Sequence, residues 1–250
     1  PKGDVQLSVF RPRGLASSRP CLYFIHGGGM IMGNRYTAAN VPLALAMHFQ
    51  AVCVSVEYHL APEYRIDAQV GDCVSGLKWL VNHAPEVGVD KGRIIVCGHS
   101  GGGGLAVGTI SRLRKDGQHA VQAQMLLAPM LDHTMGSWST NQYRNQMPWT
   151  RATNTFAWEC VEGVLEGVQL ENRSSHKDVY QVTEPATYLD VGTAEIFRDE
   201  AIAYAKQLMQ DGVQVELHVW AGAFHAAEVF VPAAELSRQI MDTRIGWLER

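Results

Sequence analysis

Strands alternating with helices predict an α/β fold with a mostly parallel central sheet covered by helices on both faces. Three observations carry this. Continuous apolar runs at residues 21–25, 51–56 and 94–96 read as strands buried on both faces, since neither face has polar relief. Between and after them, residues 38–49, 70–81 and 105–115 place apolar side chains at helical spacing. At the middle of the chain a β-branched run ends abruptly in Gly98-His99-Ser100-Gly101-Gly102, a sharp turn from strand to helix. With 250 residues, 46% hydrophobic and 18% charged, the chain can bury a large core as one domain.

Each element follows from local pattern. Residues 5–10 alternate apolar and polar side chains, as an antiparallel edge strand does, and Arg11-Pro12-Arg13-Gly14 ends it. The run 21–25 stops at His26-Gly27-Gly28-Gly29, and the run 51–56 leads into a loop, Tyr58-His59-Leu60-Ala61-Pro62-Glu63. In the helix over 70–81, Trp79 and Leu80 are expected to face inward. Residues 121–127 form a further strand, stopped by Ala128-Pro129. The alternation then breaks over about 133–184, where Trp138, Trp149, Trp158, Met135 and Met147 gather. An insertion forming a small helical cap is expected there. Regularity resumes with a strand at 187–191, a helix at 199–209, a strand at 213–219 and a helix at 233–248.

Composition excludes several classes. A net charge of −4 supplies no basic face for nucleic acid. No apolar run approaches the roughly 20 residues of a membrane span. The five cysteines form no C-x-x-C pair, and Cys21, Cys53 and Cys97 sit in apolar runs. They read as buried reduced thiols of a cytoplasmic protein, with no metal and no cofactor expected.

The turn at Ser100 matches the G-x-S-x-G elbow, which lifts a serine hydroxyl above the end of a sheet. A serine nucleophile needs a base, a group to orient the base, and donors for an oxyanion. His225 follows the last strand in Ala221-Gly222-Ala223-Phe224-His225, where a base can reach the elbow. Glu195 follows the strand 187–191, thirty positions before His225, in the chain order serine, acid, histidine. Asp190 and Asp199 compete for the acid's role. Asp190, however, falls inside a strand, and Asp199 opens a helix, where the dipole gives it a structural use. The glycines after His26 let the backbone turn its N–H groups toward a substrate. No Lys-Ser/Thr follows them as in a phosphate-binding loop.

With these motifs in place, the chain resembles the hormone-sensitive-lipase-like carboxylesterases of the α/β-hydrolase superfamily. The resemblance covers nearly all of the chain and rests on His26–Gly29, Tyr58–Glu63, Gly98–Gly102, Gly192 to Asp199, and Gly222–His225. It implies an esterase with Ser100 as nucleophile, His225 as base, Glu195 in the acid's position, and Gly28, Gly29 and Gly101 as oxyanion donors. Gly-His-Ser-Gly-Gly stands where the family usually has Gly-Asp-Ser-Ala-Gly, which brings His99 near the pocket. Met30, Trp149 and Phe224 are expected to line the same pocket. The acid is Glu where Asp is usual. The family's N-terminal cap helices have no counterpart before Val5, so a more open site is expected.

The expected partner is a small or medium carboxylic ester, and a homodimer is compatible with this reading. Lactone hydrolysis would use the same machinery. A receptor built on a hydrolase scaffold is the alternative of a different class, favoured only if a member of the serine–histidine–acid set were missing.

Overall fold

Alternation within the strands decides which helices cover which face of the sheet. The computed structural model describes residues 4–14, 18–118, 120–163 and 185–250. In β2 (Arg19–Ile25), Cys21, Tyr23 and Ile25 enter one core cluster, while Leu22 and Phe24 enter a second on the opposite face. β3 (Val52–Glu57) divides in the same way, with Val54 and Val56 on the first face and Cys53 on the second. The first face receives α2 (Ile66–Asn82), α4 (Gly101–Lys115) and α7 (Arg198–Gln210) through Leu77, Leu80, Leu105, Ile110, Ala201 and Leu208. The second receives α1 (Asn40–His48) and α9 (Glu235–Leu248) through Leu45, Met241 and Ile245.

Five further strands complete the sheet: β1 (Gln6–Phe10), β4 (Val89–His99), β5 (Ala123–Leu127), β6 (Ala186–Gly192) and β7 (Val215–Trp220). Their order is β1-β3-β2-β4-β5-β6-β7. Every pairing is parallel except that of β1 with β3, which runs antiparallel in the register Gln6↔Glu57 to Phe10↔Cys53. Parallel order brings the carboxyl ends of β2, β4, β6 and β7 to one rim, where open α/β sheets bind ligands.

Between β5 and β6 the chain forms α5 (Trp138–Gln142) and α6 (Arg151–Glu162), with Ser137 and Thr150 as N-caps. Residues 164–184 of the expected insertion lie outside the described residues. Two short helices, α3 (Ala84–Val87) and α8 (Ala227–Phe230), were not apparent from periodicity, since four residues span barely one turn.

The structure corrects two expectations. Trp79 does not face inward with Leu80: it is 40% exposed and stacks on His83 at 4.6 Å. Consecutive helical positions point about 100° apart, and Cys73, Gly76, Leu77 and Leu80 already fill the inward stripe. β4 begins at Val89, five residues before the apolar run; the polar and largely exposed stretch Asp90 to Arg93 carries no apolar signal. All five cysteines are buried and free, and burial pushes the Cys53 thiol up to about 12. Among the described residues no helix is long and apolar enough to cross a membrane, and no cluster of side chains could hold a metal ion.

Candidate active site

The Ser100 elbow is built by glycines that nothing larger could replace. Ser100 adopts φ 55°, ψ −121° between β4 and α4. A Cβ on Gly98 would lie 2.3 Å from the Gly102 carbonyl oxygen, and one on Gly102 would lie 2.1 Å from that of Ile25. Strand and helix therefore cross at backbone contact. The Ser100 amide donates to Leu127 O at 2.9 Å, and the Ser100 carbonyl accepts from Gly103 at 2.8 Å and Met130 at 3.0 Å. Pinned on both sides, the residue keeps its strained dihedrals.

The loop after β2 is held just as firmly. Tyr58 stacks on His26 with ring centroids 4.2 Å apart, and its hydroxyl donates to the His26 carbonyl at 2.9 Å. The Met30 carbonyl accepts from the Gln69 side chain at 2.8 Å and the Ala61 amide at 3.0 Å. Burial keeps the His26 imidazole below its ordinary pKa, and its Nδ1–H donates to the Gly27 carbonyl at 2.8 Å. Gly28 and Gly29 sit at φ 110° and 59°, open to glycine and unfavourable to other residues. A Cβ on Gly101 would fall 3.0 Å from Gly29 N, so the two backbones face each other beside Ser100. Among the described residues the N–H groups of Gly28, Gly29 and Gly101 donate to no backbone carbonyl.

His225 joins the serine to the acid. Its Nε2 lies 2.9 Å from Ser100 Oγ and its Nδ1 2.6 Å from Glu195 Oε2. A carboxylate only accepts, so Nδ1 carries the proton and Nε2 is free to receive the serine's. The other Glu195 oxygen, Oε1, accepts from the Gly192 amide at 2.7 Å. Backbone bonds from Ala194 to Ala223 at 3.0 Å and from Thr193 to Trp220 at 2.9 Å tie the acid's loop to the base's loop. Phe197 packs edge-on against His225 at 5.1 Å. All three side chains are nearly enclosed.

Both competing aspartates are engaged elsewhere. Asp190 accepts two bonds from buried Arg244, at 2.7 and 3.0 Å, and one from Tyr188 at 2.9 Å. Asp199 accepts from the Ser139 amide at 2.7 Å and from Arg198 at 2.7 Å, so it caps the start of α5 instead of approaching His225.

The residues expected around a pocket separate. Trp149 presses its ring on the backbone of Gly29, where a Cβ would meet it at 2.3 Å, and its indole N–H donates to Asn154. Met30 is fully enclosed: its side chain belongs to the main core, close to Gly104. Phe224 packs with Ala223, Ala227 and Ile240, next to α8 and α9. His99 lies 5.8 Å from the His225 ring, and burial lowers its pKa to about 4. A cleft of about 630 Å3 lined by Arg35, Tyr36, Glu57, Tyr58, His59 and Tyr64 includes none of Ser100, His225 and Glu195.

Tyr58 and Gln69 brace the glycine loop, a role the sequence analysis assigns to neither. For Gln69 there was a signal, an amide in the otherwise apolar stripe of α2. Arg244 likewise stands in the inward stripe of α9 beside Ile240.

A family described as the α/β-hydrolase fold matches residues 22–229, and the chain belongs to it. Within that fold it is one of the hormone-sensitive-lipase-like carboxylesterases, as the relatives and neighbours agree. It is 29% identical over 248 residues to an arylesterase of Saccharolobus solfataricus, spanning 95% of this chain and 76% of the relative. It is also 29% identical to the esterase LipI of Mycobacterium tuberculosis, spanning 87% of this chain and 69% of that one. Among solved structures, a bacterial heroin esterase superposes with a TM-score of 0.89 at 32% identity, covering 97% of this chain and 78% of its own. A hyperthermophilic esterase from Pyrobaculum calidifontis superposes with a TM-score of 0.84 at 27% identity, covering 97% and 80%.

Proposed function

We propose that the protein hydrolyses small to medium carboxylic esters through an acyl-enzyme formed on Ser100. The observation that carries this is the continuous relay from Ser100 Oγ through His225 to Glu195, at 2.9 and 2.6 Å. As Ser100 Oγ attacks the ester carbonyl, its proton passes to His225 Nε2. The carbonyl oxygen becomes an oxyanion facing the N–H groups of Gly28, Gly29 and Gly101. The C–O bond to the alcohol then breaks, and His225 returns the proton to the departing alkoxide. Water, deprotonated by the same nitrogen, attacks the acyl-serine; the bond to Ser100 Oγ then breaks, His225 returns the proton to that oxygen, and the acid is released. Glu195 holds the Nδ1 proton throughout and stabilises the imidazolium that forms twice per cycle. Removing one oxyanion donor lowers turnover by about 100- to 1000-fold in such sites.

A complete relay also weighs against a receptor, which has no use for a base poised on a strained serine. The test is a panel of p-nitrophenyl esters of increasing acyl length beside a panel of lactones, with and without a serine-directed organophosphate. Ester turnover abolished by the reagent supports the proposal. Ester turnover untouched by it refutes the mechanism, and faster lactone turnover reassigns the substrate.

The same reading extends to residence in the cytoplasm, supported by five buried thiols that are free. It extends also to a homodimer, for which the two outer strands of the sheet, β1 and β7, each offer an edge with no strand partner among the described residues. Light scattering at working concentration tests the dimer.

A further inference from the structure

Among the described residues the largest fully buried side chain is an arginine that the relay itself does not use. Arg244, on α9, is 2% exposed. Its Nε and Nη2 form a two-pronged contact with Asp190 at 2.7 and 3.0 Å, and its Nη1 meets Glu228 Oε1 at 2.9 Å. Glu228 is also nearly enclosed. Burial opposes its charge, but Arg244 and then His99 outweigh burial and lower its pKa to about 2. Burial likewise opposes the Arg244 charge, and Asp190 and Glu228 outweigh it.

A buried ion cluster contributes little net stability compared with apolar packing of the same volume. What a guanidinium does supply is direction, because its planar fork fixes two carboxylates at set angles. Here those carboxylates belong to the two segments that bracket the base. Asp190 lies on β6, whose continuation reaches Glu195 five residues later. Glu228 lies on α8, three residues past His225. The loop before His225 is fastened to the acid's loop through Trp220 and Ala223. The segment after His225 is fastened through Glu228 to Arg244, and from there back to β6. His225 is thus held from both sides.

We propose that Arg244 is a positioning residue for the base. Acting through Glu228 and Asp190, it sets the reach of His225 to both Ser100 and Glu195. The proposal rests on reading Ser100, His225 and Glu195 as the working relay. An error of about 1 Å at such a site lowers turnover by roughly 100-fold, whereas substrate binding, which does not use the imidazole, is spared.

The experiment compares Arg244→Lys, which keeps the charge and loses the fork, with Glu228→Gln, which keeps an acceptor for Nη1 and loses the charge. For each variant kcat per active site, titrated with a phosphonate, is measured alongside KM, the melting temperature and the low-field proton resonance of His225 Nδ1–H. For Arg244→Lys we expect kcat per titrated site to fall about 10- to 100-fold, KM to stay within about twofold, and the low-field resonance to weaken. Glu228→Gln should lose less, in the same direction. Wild-type kcat per titrated site and an intact resonance in Arg244→Lys overturn the proposal, even if that variant melts earlier. Should Arg244→Lys fail to fold, the same result in Glu228→Gln overturns it. Ser100→Ala, run in parallel, separates the two readings. Full activity there removes the relay itself, whereas an inactive Ser100→Ala beside a normal Arg244→Lys removes only the positioning role.

Discussion

Replacing Glu195 by glutamine changes one oxygen into an NH2 group at the point where the site has least tolerance. The two carboxylate oxygens have separate duties: Oε2 accepts from His225 Nδ1 at 2.6 Å and Oε1 accepts from the Gly192 amide at 2.7 Å. An amide has one acceptor. If its oxygen stays on Gly192, the NH2 group faces His225 and favours the tautomer with its proton on Nε2. The ring then has no lone pair to offer Ser100. If the amide flips, histidine keeps its tautomer but two N–H groups oppose each other in an enclosed space, leaving a buried donor unsatisfied at about 1–3 kcal/mol. Either arrangement also removes the charge that stabilises the imidazolium. In the corresponding position of serine proteases, an Asp-to-Asn change lowers kcat about 10⁴-fold, and we expect a loss of that order here. At about 1.4 kcal/mol per decade this is roughly 5 kcal/mol of lost transition-state stabilisation. The assay is kcat on a short-chain p-nitrophenyl ester at neutral pH, with circular dichroism to establish folding. Asp199→Asn, which keeps an oxygen for the Ser139 amide, should retain most of the wild-type rate. A folded Glu195→Gln enzyme keeping more than about a tenth of wild-type kcat would refute the assignment.

Other expectations follow from the same geometry. Ser100→Ala should abolish ester hydrolysis and remove the organophosphate adduct seen by mass spectrometry; an adduct on any other residue contradicts the mechanism. Gly102→Ala should destabilise the fold by about 3 kcal/mol or more in urea titration, because its Cβ would sit 2.1 Å from Ile25 O. Gly71→Ala, in mid-α2 with nothing within 4 Å of the new methyl, should instead stabilise by about 0.5–1 kcal/mol. His99, held to about 4 by burial, is neutral when folded, whereas an unfolded histidine takes up a proton near pH 6.5. Its contribution is therefore fully present above pH 6.5 and fades as pH falls toward 4, by about 3 kcal/mol in all. Unfolding titrations from pH 7 to pH 4.5 should show that decline, and His99→Gln should flatten it.

The parts of the site that were legible in the sequence are those whose chemistry is local. The Ser100 elbow is a clash-avoidance pattern confined to five neighbouring residues, and the His26–Gly29 loop is a run of glycines. Glu195 was separable from Asp190 and Asp199 because strand alternation and helix position speak to side-chain direction before any coordinates exist. Relations across the chain were hidden. The place of Arg244 on the inward stripe of α9 hints at burial, but its partners Asp190 and Glu228 lie 54 and 16 positions away, and nothing local names them. Met30 was expected to line the pocket. It adopts a positive φ of 65°, and its side chain lies in the main core. Trp79 shows the limit of periodicity, which locates a helix better than it ranks two adjacent apolar residues on it.

The seam between α5 and α7 carries a lesson for anyone exchanging parts among such enzymes. Ser139 donates its hydroxyl to the Ile196 carbonyl at 2.7 Å and its amide to Asp199 at 2.7 Å. Ile196 is the immediate neighbour of Glu195. A chimaera that grafts a foreign 138–162 segment to alter substrate range thereby also tugs on the acid's own backbone. Grafts that preserve Ser139 opposite Asp199 should trade selectivity without loss of speed. Those that discard this pair should produce slow enzymes, whatever the shape of the pocket they import.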